Sequence, residues 1–345
     1  MSLGLVLFLP LNLVVKIFRF SGRNCPLFMS GLEDMPENCV ALVLMHMDPP
    51  EICKLAGVNR LFRDAASADF VWESKLPSNY QFLIDKALEF EEKDKAMMNL
   101  RKKDVYSRLC KRNPLNGVSK EFWLDKRTGG LSMAISWKAL TITGIGDRRY
   151  WNHISTDESR FQSIAYLQQT WWFEVKGELK FQFPEGRYAV FFRLHLGKPS
   201  KRLGRRICLM DQVHGWDVKP VRFQLTTSDN QHTESRCFLG SPGNWVNYHV
   251  GDFTIESGSS SSSNMMKLKF ALTQIDCTHT KGGLCLDSVL IQPKDFVAKN
   301  NSLMGLSRPA LRVSEPPSSR SVNREVGHSL VGAMLGFSNF QTCFV

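Results

Sequence analysis

No two cysteines in this sequence stand in C-x-x-C spacing, and none pairs with histidine at zinc-finger distances. The nine cysteines are scattered and odd in number. A disulfide framework wants an even, clustered set, so these read as reduced thiols, several of them core residues, in the cytosol or nucleus. Also missing are G-x-S-x-G, H-E-x-x-H and the glycine-rich phosphate loop. Catalysis needs a nucleophile and a base within hydrogen-bond reach, usually inside a recognisable motif. His214, His249 and His279 stand alone. The Cys277-Thr278-His279 stretch near Cys285 lacks the second ligand pair that zinc requires. The expectation is a non-catalytic chain with no metal and no cofactor. Nor is there an apolar run of the ~20 residues that span a bilayer. Residues 3–17 are apolar but interrupted by Pro10, and Lys16, Arg19 and Arg23 follow where a signal peptide would have charges in front. Residues 1–30 are read as an apolar leader, either a cytosolic-side anchor or a non-native addition.

What is present suggests two domains. The chain has 345 residues, 43% of them hydrophobic, enough for packed cores. Its net charge of +11 is uneven: residues 31–77 sum to −4, whereas 78–296 sum to +9. A basic surface attracts nucleic acid, anionic membrane or acidic partners, or is simply solvated. The densest run is Lys198-Pro199-Ser200-Lys201-Arg202-Leu203-Gly204-Arg205-Arg206, five positive charges in nine residues. No aromatic is interleaved for base stacking, so it reads as a basic surface loop, with no nucleic acid expected.

Residues 35–76 read as three short helices. Asp34 can cap the first, and Pro36 and Glu37 suit its opening turn. Val40, Val43, Leu44 and Met47 then form one stripe. Asp48-Pro49-Pro50-Glu51 breaks that helix and opens the next, which carries Ile52, Leu55 and Ala56. A third, turn-rich stretch holds Val58, Phe62 and Trp72. Some 45 residues are few for an independent core, and so small a unit leans on a partner. Residues 80–112 read as a charged helical connector.

From Glu121 onward the period is two. Phe173, Val175, Leu179 and Phe181 alternate with charged neighbours. Tyr188 to Leu196 and Met266 to Leu272 repeat the pattern. Further strands are expected at 131–136, 221–227, 245–255 and 284–291. Many short alternating strands indicate an antiparallel sandwich. A Ser/Gly tract at 257–264 reads as a loop, and residues 297–345 as a disordered tail. The fold class is thus α+β multidomain: leader 1–30, helices 31–78, connector 79–118, β-sandwich 119–296, tail 297–345.

The helical module resembles an F-box. The carrying residues are Met35-Pro36, Val43-Leu44, Met47, Asp48-Pro49-Pro50-Glu51-Ile52, Val58-Asn59-Arg60-Leu61-Phe62-Arg63 and Trp72; the family commonly has Leu-Pro at the first pair. The resemblance implies docking on the Skp adaptor of SCF ubiquitin ligases, and through it on a cullin. Pro36, Val40, Leu44, Met47, Ile52, Leu55, Val58 and Trp72 would lie at or beneath that contact, or merely pack the helices together.

The second module resembles the phloem lectins (phloem protein two) of plants. Trp123-Leu124-Asp125-Lys126 and segments 136–143, 147–151, 166–174, 213–220, 245–252 and 276–288 carry the likeness over about 170 residues. An F-box in front of such a domain is a known architecture of that family. The resemblance implies a lectin-like jelly-roll and carbohydrate recognition, with N-acetylglucosamine-type glycans as candidates. Tobacco-type members have a Trp at the position of Gly144 and another at that of Trp151. Here Trp151 remains, beside Tyr150, with Asp147, Arg148 and Asn152 as hydrogen-bonding neighbours. Trp151 is read either as a sugar platform or as a core residue needing a partner for its N–H. Three functions follow: a ligase receptor for glycoproteins, a receptor whose sandwich binds bare protein, or a lectin working without a ligase.

Overall fold

The computed structural model describes residues 36–89, 100–202, 205–256 and 265–294, and side chains throughout these except at 201–206. Asp34 and Met35, the leader, the Ser/Gly tract and the tail lie outside them. The order is helices, then strands: α1 Glu37–Leu44, α2 Pro49–Leu55, α3 Arg60–Ala65, α4 Asp69–Glu73, α5 Tyr80–Ala87 and α6 Lys102–Leu109, followed by a β-rich domain.

The helical module has four helices among the described residues where three were expected. The third stretch divides because Asn59 caps α3, its side chain accepting from the Phe62 amide at 2.9 Å, and because the carbonyl of Ala66 is taken at 2.7 Å by the Trp72 indole N–H. A carbonyl committed to a side chain is a natural place for a helix to end. The first helix is also shorter than its apolar stripe. It closes at Leu44, ahead of Asp48-Pro49, so Met47 falls beyond it and Val43 is exposed while Val40, Ala41 and Leu44 are buried.

All strand pairings are antiparallel. β15 (Lys281–Pro293) is the spine of an eight-stranded sheet. One edge pairs with β8 (Gly186–Leu196), which pairs onward with β13 (Trp245–Ile255). The other edge is shared. Its first half meets β6 (Ser163–Thr170) and then β5 (Trp151–Ser155); its second half meets β3 (Leu131–Ser136), β2 (Lys120–Leu124) and β1 (Asn113–Pro114). Asn113 and Pro114, placed by sequence in the connector, are therefore already sheet.

A five-stranded sheet has the order β12 (His232–Cys237), β11 (Val221–Thr227), β14 (Met266–Gln274), β7 (Phe173–Phe181), β4 (Thr141–Ile142). β9 (Lys198–Arg202) and β10 (Arg205–Leu209) form a separate hairpin where a loop was expected.

The expected alternation decides which faces are dry. Phe173, Val175, Leu179 and Phe181 on β7 are buried, as are Val190, Phe192 and Leu194 on β8. Phe192 lies 6.3 Å from Phe223 and 6.1 Å from Phe270, ring to ring, so the inner faces of the two sheets meet. Gly177 interrupts the β7 alternation because the Phe270 ring occupies its side-chain space: a Cβ there would sit 2.1 Å from Phe270 Cε2. The same hydrophobic cluster runs on into the helices, through Tyr106, Leu109, Trp72 and Leu44. Trp72 packs on Tyr106 at 5.4 Å, and Phe82 on Phe181 at 5.3 Å. Asp69 accepts from the Lys102 amide at the start of α6, and Asn79 donates to the Gln182 carbonyl.

Candidate functional site

The helical module presents two kinds of apolar residue. Val40, Leu44, Ile52, Leu55 and Trp72 are all buried, and Met47 is half-buried. Of the eight residues expected at or beneath a partner contact, Pro36 and Val58 are exposed. Trp72 in particular is turned toward the connector, with Tyr106 against its ring and Lys103 Nζ 5.8 Å above it. The pattern of apolar residues could not separate these roles, since an aliphatic repeat looks alike whether it faces a core or a partner. Exposure separates them, and it adds residues outside the expected contact set: Leu42 is 56% exposed, Val43 48% and Phe70 38%, beside Val58 at 57%.

In the β-domain, Trp151 is a core residue. It opens β5 facing inward, is 3% exposed and stacks on Phe173 at 6.4 Å. Its N–H donates to the Thr143 carbonyl at 3.1 Å, which answers the need of a buried indole for an acceptor. It is therefore no sugar platform. Asn152, next along the strand, points to the opposite side of the sheet in register with Tyr166, so it does not share a site with Trp151. Gly144 has φ +74°, a backbone region disfavoured for a tryptophan, and the Tyr150 ring lies 3.4 Å from where its Cβ would be.

What does assemble is a loop-end surface. The turn from Gly144 to Tyr150 is held by Asp147, whose carbonyl accepts from the Tyr150 and Trp151 amides. Arg149 forks onto the Asp147 carboxylate at 3.0 and 2.7 Å, and this hydrogen bonding holds the Asp147 carboxyl below its ordinary range. Arg149 also lies 5.6 Å over the Tyr150 ring, which is 37% exposed. Gln168 ties this turn to β6 by donating to the Tyr150 and Arg148 carbonyls at 2.8 and 2.6 Å. Thr143 bonds to Glu174 on β7.

Where the chain crosses from β6 in the eight-stranded sheet to β7 in the five-stranded sheet, the connection carries Trp171 and Trp172, both exposed. Beneath them is Lys281, fully buried, donating to the Trp171 and Gln274 carbonyls at 2.9 and 3.1 Å, with Asp276 at 3.9 Å. Burial pulls its pKa down, opposed by Asp276. Tyr150, Trp171 and Trp172 are thus three exposed rings on loops bound to the same strands, with Asp147, Arg149 and Glu174 as polar neighbours. A signal for the tryptophans existed: two adjacent bulky residues between alternating runs sit at a turn, where they cannot both point inward. Among the described residues no group of histidine, cysteine or carboxylate side chains could hold a metal.

Residues 32–74 match the F-box domain model, and residues 130–293 match that of phloem protein 2. Full-length relatives settle the matter: the Arabidopsis thaliana F-box protein PP2-A13 is 59% identical over 265 residues, 76% of this chain and 89% of that one. The chain belongs to the phloem protein 2 F-box family. F-box proteins PP2-A11 and PP2-A15 of the same plant are 54% and 50% identical, over 77% and 79% of this chain and 90% and 91% of theirs. Membership accounts for the division just described. The F-box match ends just beyond α4, and the phloem protein 2 match spans β3 to β15.

Proposed function

We propose that this family member is a substrate-receptor subunit of an SCF ubiquitin ligase, non-catalytic itself and working in the cytosol or nucleus. The F-box docks on the Skp adaptor, and through it a cullin, by its exposed apolar residues Pro36, Leu42, Val43 and Val58. The observation that carries this is that Trp72, Leu44 and their neighbours are spent on the protein's own core while Leu42, Val43 and Val58 stay in water. Exposed aliphatics on a folded module favour a partner. Replacing Leu42 and Val58 together by Asp should abolish Skp co-purification from a chain that still melts cooperatively; retained association sinks the docking model.

The β-domain, on this reading a lectin-like jelly-roll sandwich, holds the target at Tyr150, Trp171 and Trp172. Exposed rings with Asp147 and Arg149 beside Tyr150 and Glu174 beside Trp172 suit a glycoprotein glycan, the rings taking the apolar sugar face and the polar groups its hydroxyls. A glycan array of the full chain, repeated with Trp171→Ala and Trp172→Ala, tests it: selective binding lost in the double variant supports the glycan reading. The interior position of Trp151 and the glycine at 144 favour a second reading, in which the same rings bind bare protein. An array without any signal, from folded protein that still captures its target, selects that one. A stand-alone lectin would bind glycans but never Skp.

A further inference from the structure

The basic run at 198–206 is built as a hairpin, with Arg205 opposite Arg202 and Arg206 opposite Lys201. β9 and β10 lie outside the ladders of both larger sheets. Four basic residues therefore fall in two directly facing pairs, and Lys198 is exposed at the foot of the hairpin. The returning strand adds a second feature. Ile207 and Leu209, two apart and hence on one face of β10, are exposed, and so is Met210 after them.

Aliphatic side chains left in water beside concentrated positive charge match the chemistry of an anionic phospholipid surface, where headgroups meet the charges and aliphatics reach the acyl boundary. The other polyanions fit less well. A single nucleic-acid strand is gripped by stacking rings, and residues 197–210 contain no aromatic. An acidic polypeptide would answer the charges but leave three aliphatic chains without a role. We infer that the β9–β10 hairpin is a docking element for anionic phospholipid surfaces. Each basic residue near such a surface contributes about a fivefold gain in partitioning, so four of them together are worth at least about two orders of magnitude.

The test is flotation of the full chain with vesicles of phosphatidylcholine alone and of equal parts phosphatidylcholine and phosphatidylserine. The expected result is binding to the serine-containing vesicles, weakened by added salt. It should fall at least about a hundredfold in the variant carrying Lys201→Ala, Arg202→Ala, Arg205→Ala and Arg206→Ala. An Ile207→Ser, Leu209→Ser variant should lose the part of the binding that survives high salt. Unchanged thermal melting and Skp association in both variants show that loss of binding is not loss of fold, and keep the result separate from the ligase proposal. Three outcomes overturn the inference: no binding by the wild type, equal binding by the fourfold variant, or equal binding to phosphatidylcholine alone. Wild-type capture of polyglutamate or an RNA oligomer without vesicle binding also overturns it, and gives the hairpin that partner.

Discussion

In the F-box stretch no described helix is longer than eight residues, whereas β15 alone runs thirteen and is hydrogen-bonded along both edges. The β-domain closes its core between two sheets, ring against ring. The F-box cannot do so with four short helices. It lends Trp72 to Tyr106 of α6, and next to it α5 sets Phe82 against Phe181 of β7. The contrast teaches that smallness was met in two directions: one side of the module is stabilised from within the chain, and the other is left apolar and exposed. On the proposed function, a partner would cover only that second side.

The comparison breaks most sharply at the seam. Trp72→Ala removes a buried indole and its hydrogen bond, a loss of about 3–5 kcal/mol. Thermal unfolding followed by far-ultraviolet circular dichroism should then split into a helical transition and a later β transition. One undivided transition would mean that the two halves do not depend on this contact.

Within the β-domain the counterpart is Arg193, paired at 2.7 Å with Asp287, whose side chain is 1% exposed. Arg193→Met leaves a buried carboxylate with only the Ser159 and Ser288 hydroxyls as donors and no cation, and should cost about 3 kcal/mol. Here a single transition should persist at lower temperature, because the sheets share one core.

Lys281→Met leaves the Trp171 and Gln274 carbonyls without a donor, at a cost of about 2 kcal/mol near neutral pH. The sign of its pH dependence follows from a folded pKa below the ordinary 10.5. Between the two values the unfolded chain binds more protons, so wild-type stability rises with pH there. The gap between wild type and variant should widen as pH climbs through the lowered pKa and level off above 10.5. A gap constant with pH would show that the lysine is charged as easily inside as outside.

The smallest effect is at the loop end. Gly144→Ala places a Cβ in left-handed backbone and should lower stability by about 1 kcal/mol without altering Skp association. A larger loss would mean that the turn is structural to the whole sheet.

Much of this was legible in the amino-acid order. Strands at 131–136, 221–227 and 245–255 coincide with β3, β11 and β13, because alternation and turn residues are local signals that tertiary packing only confirmed. The division of the third helical stretch was not legible, since it depends on the Trp72 indole reaching the Ala66 carbonyl. The hairpin at 198–209 read as loop because its charges and proline mask a strand pattern. Among the residues expected at a sugar site, Tyr150 and Asp147 share one turn. Trp151 and Asn152 were separated from them by which way a strand residue points, a matter of register that no composition records. Trp171 and Trp172 gained their place only once the crossing between the two sheets was located.

Asp69 gives the first amide of α6 an acceptor, and α4, which Asp69 opens, also carries the tryptophan wedged on Tyr106. Among the described residues the F-box is thereby fastened to the connector at both ends of one short helix. Cargo gripped at the β6–β7 crossing would keep one bearing relative to the F-box, as work held in a vice keeps its bearing to the bench. Which lysine is marked would then be decided by where it sits on the cargo, and less by the residues around it.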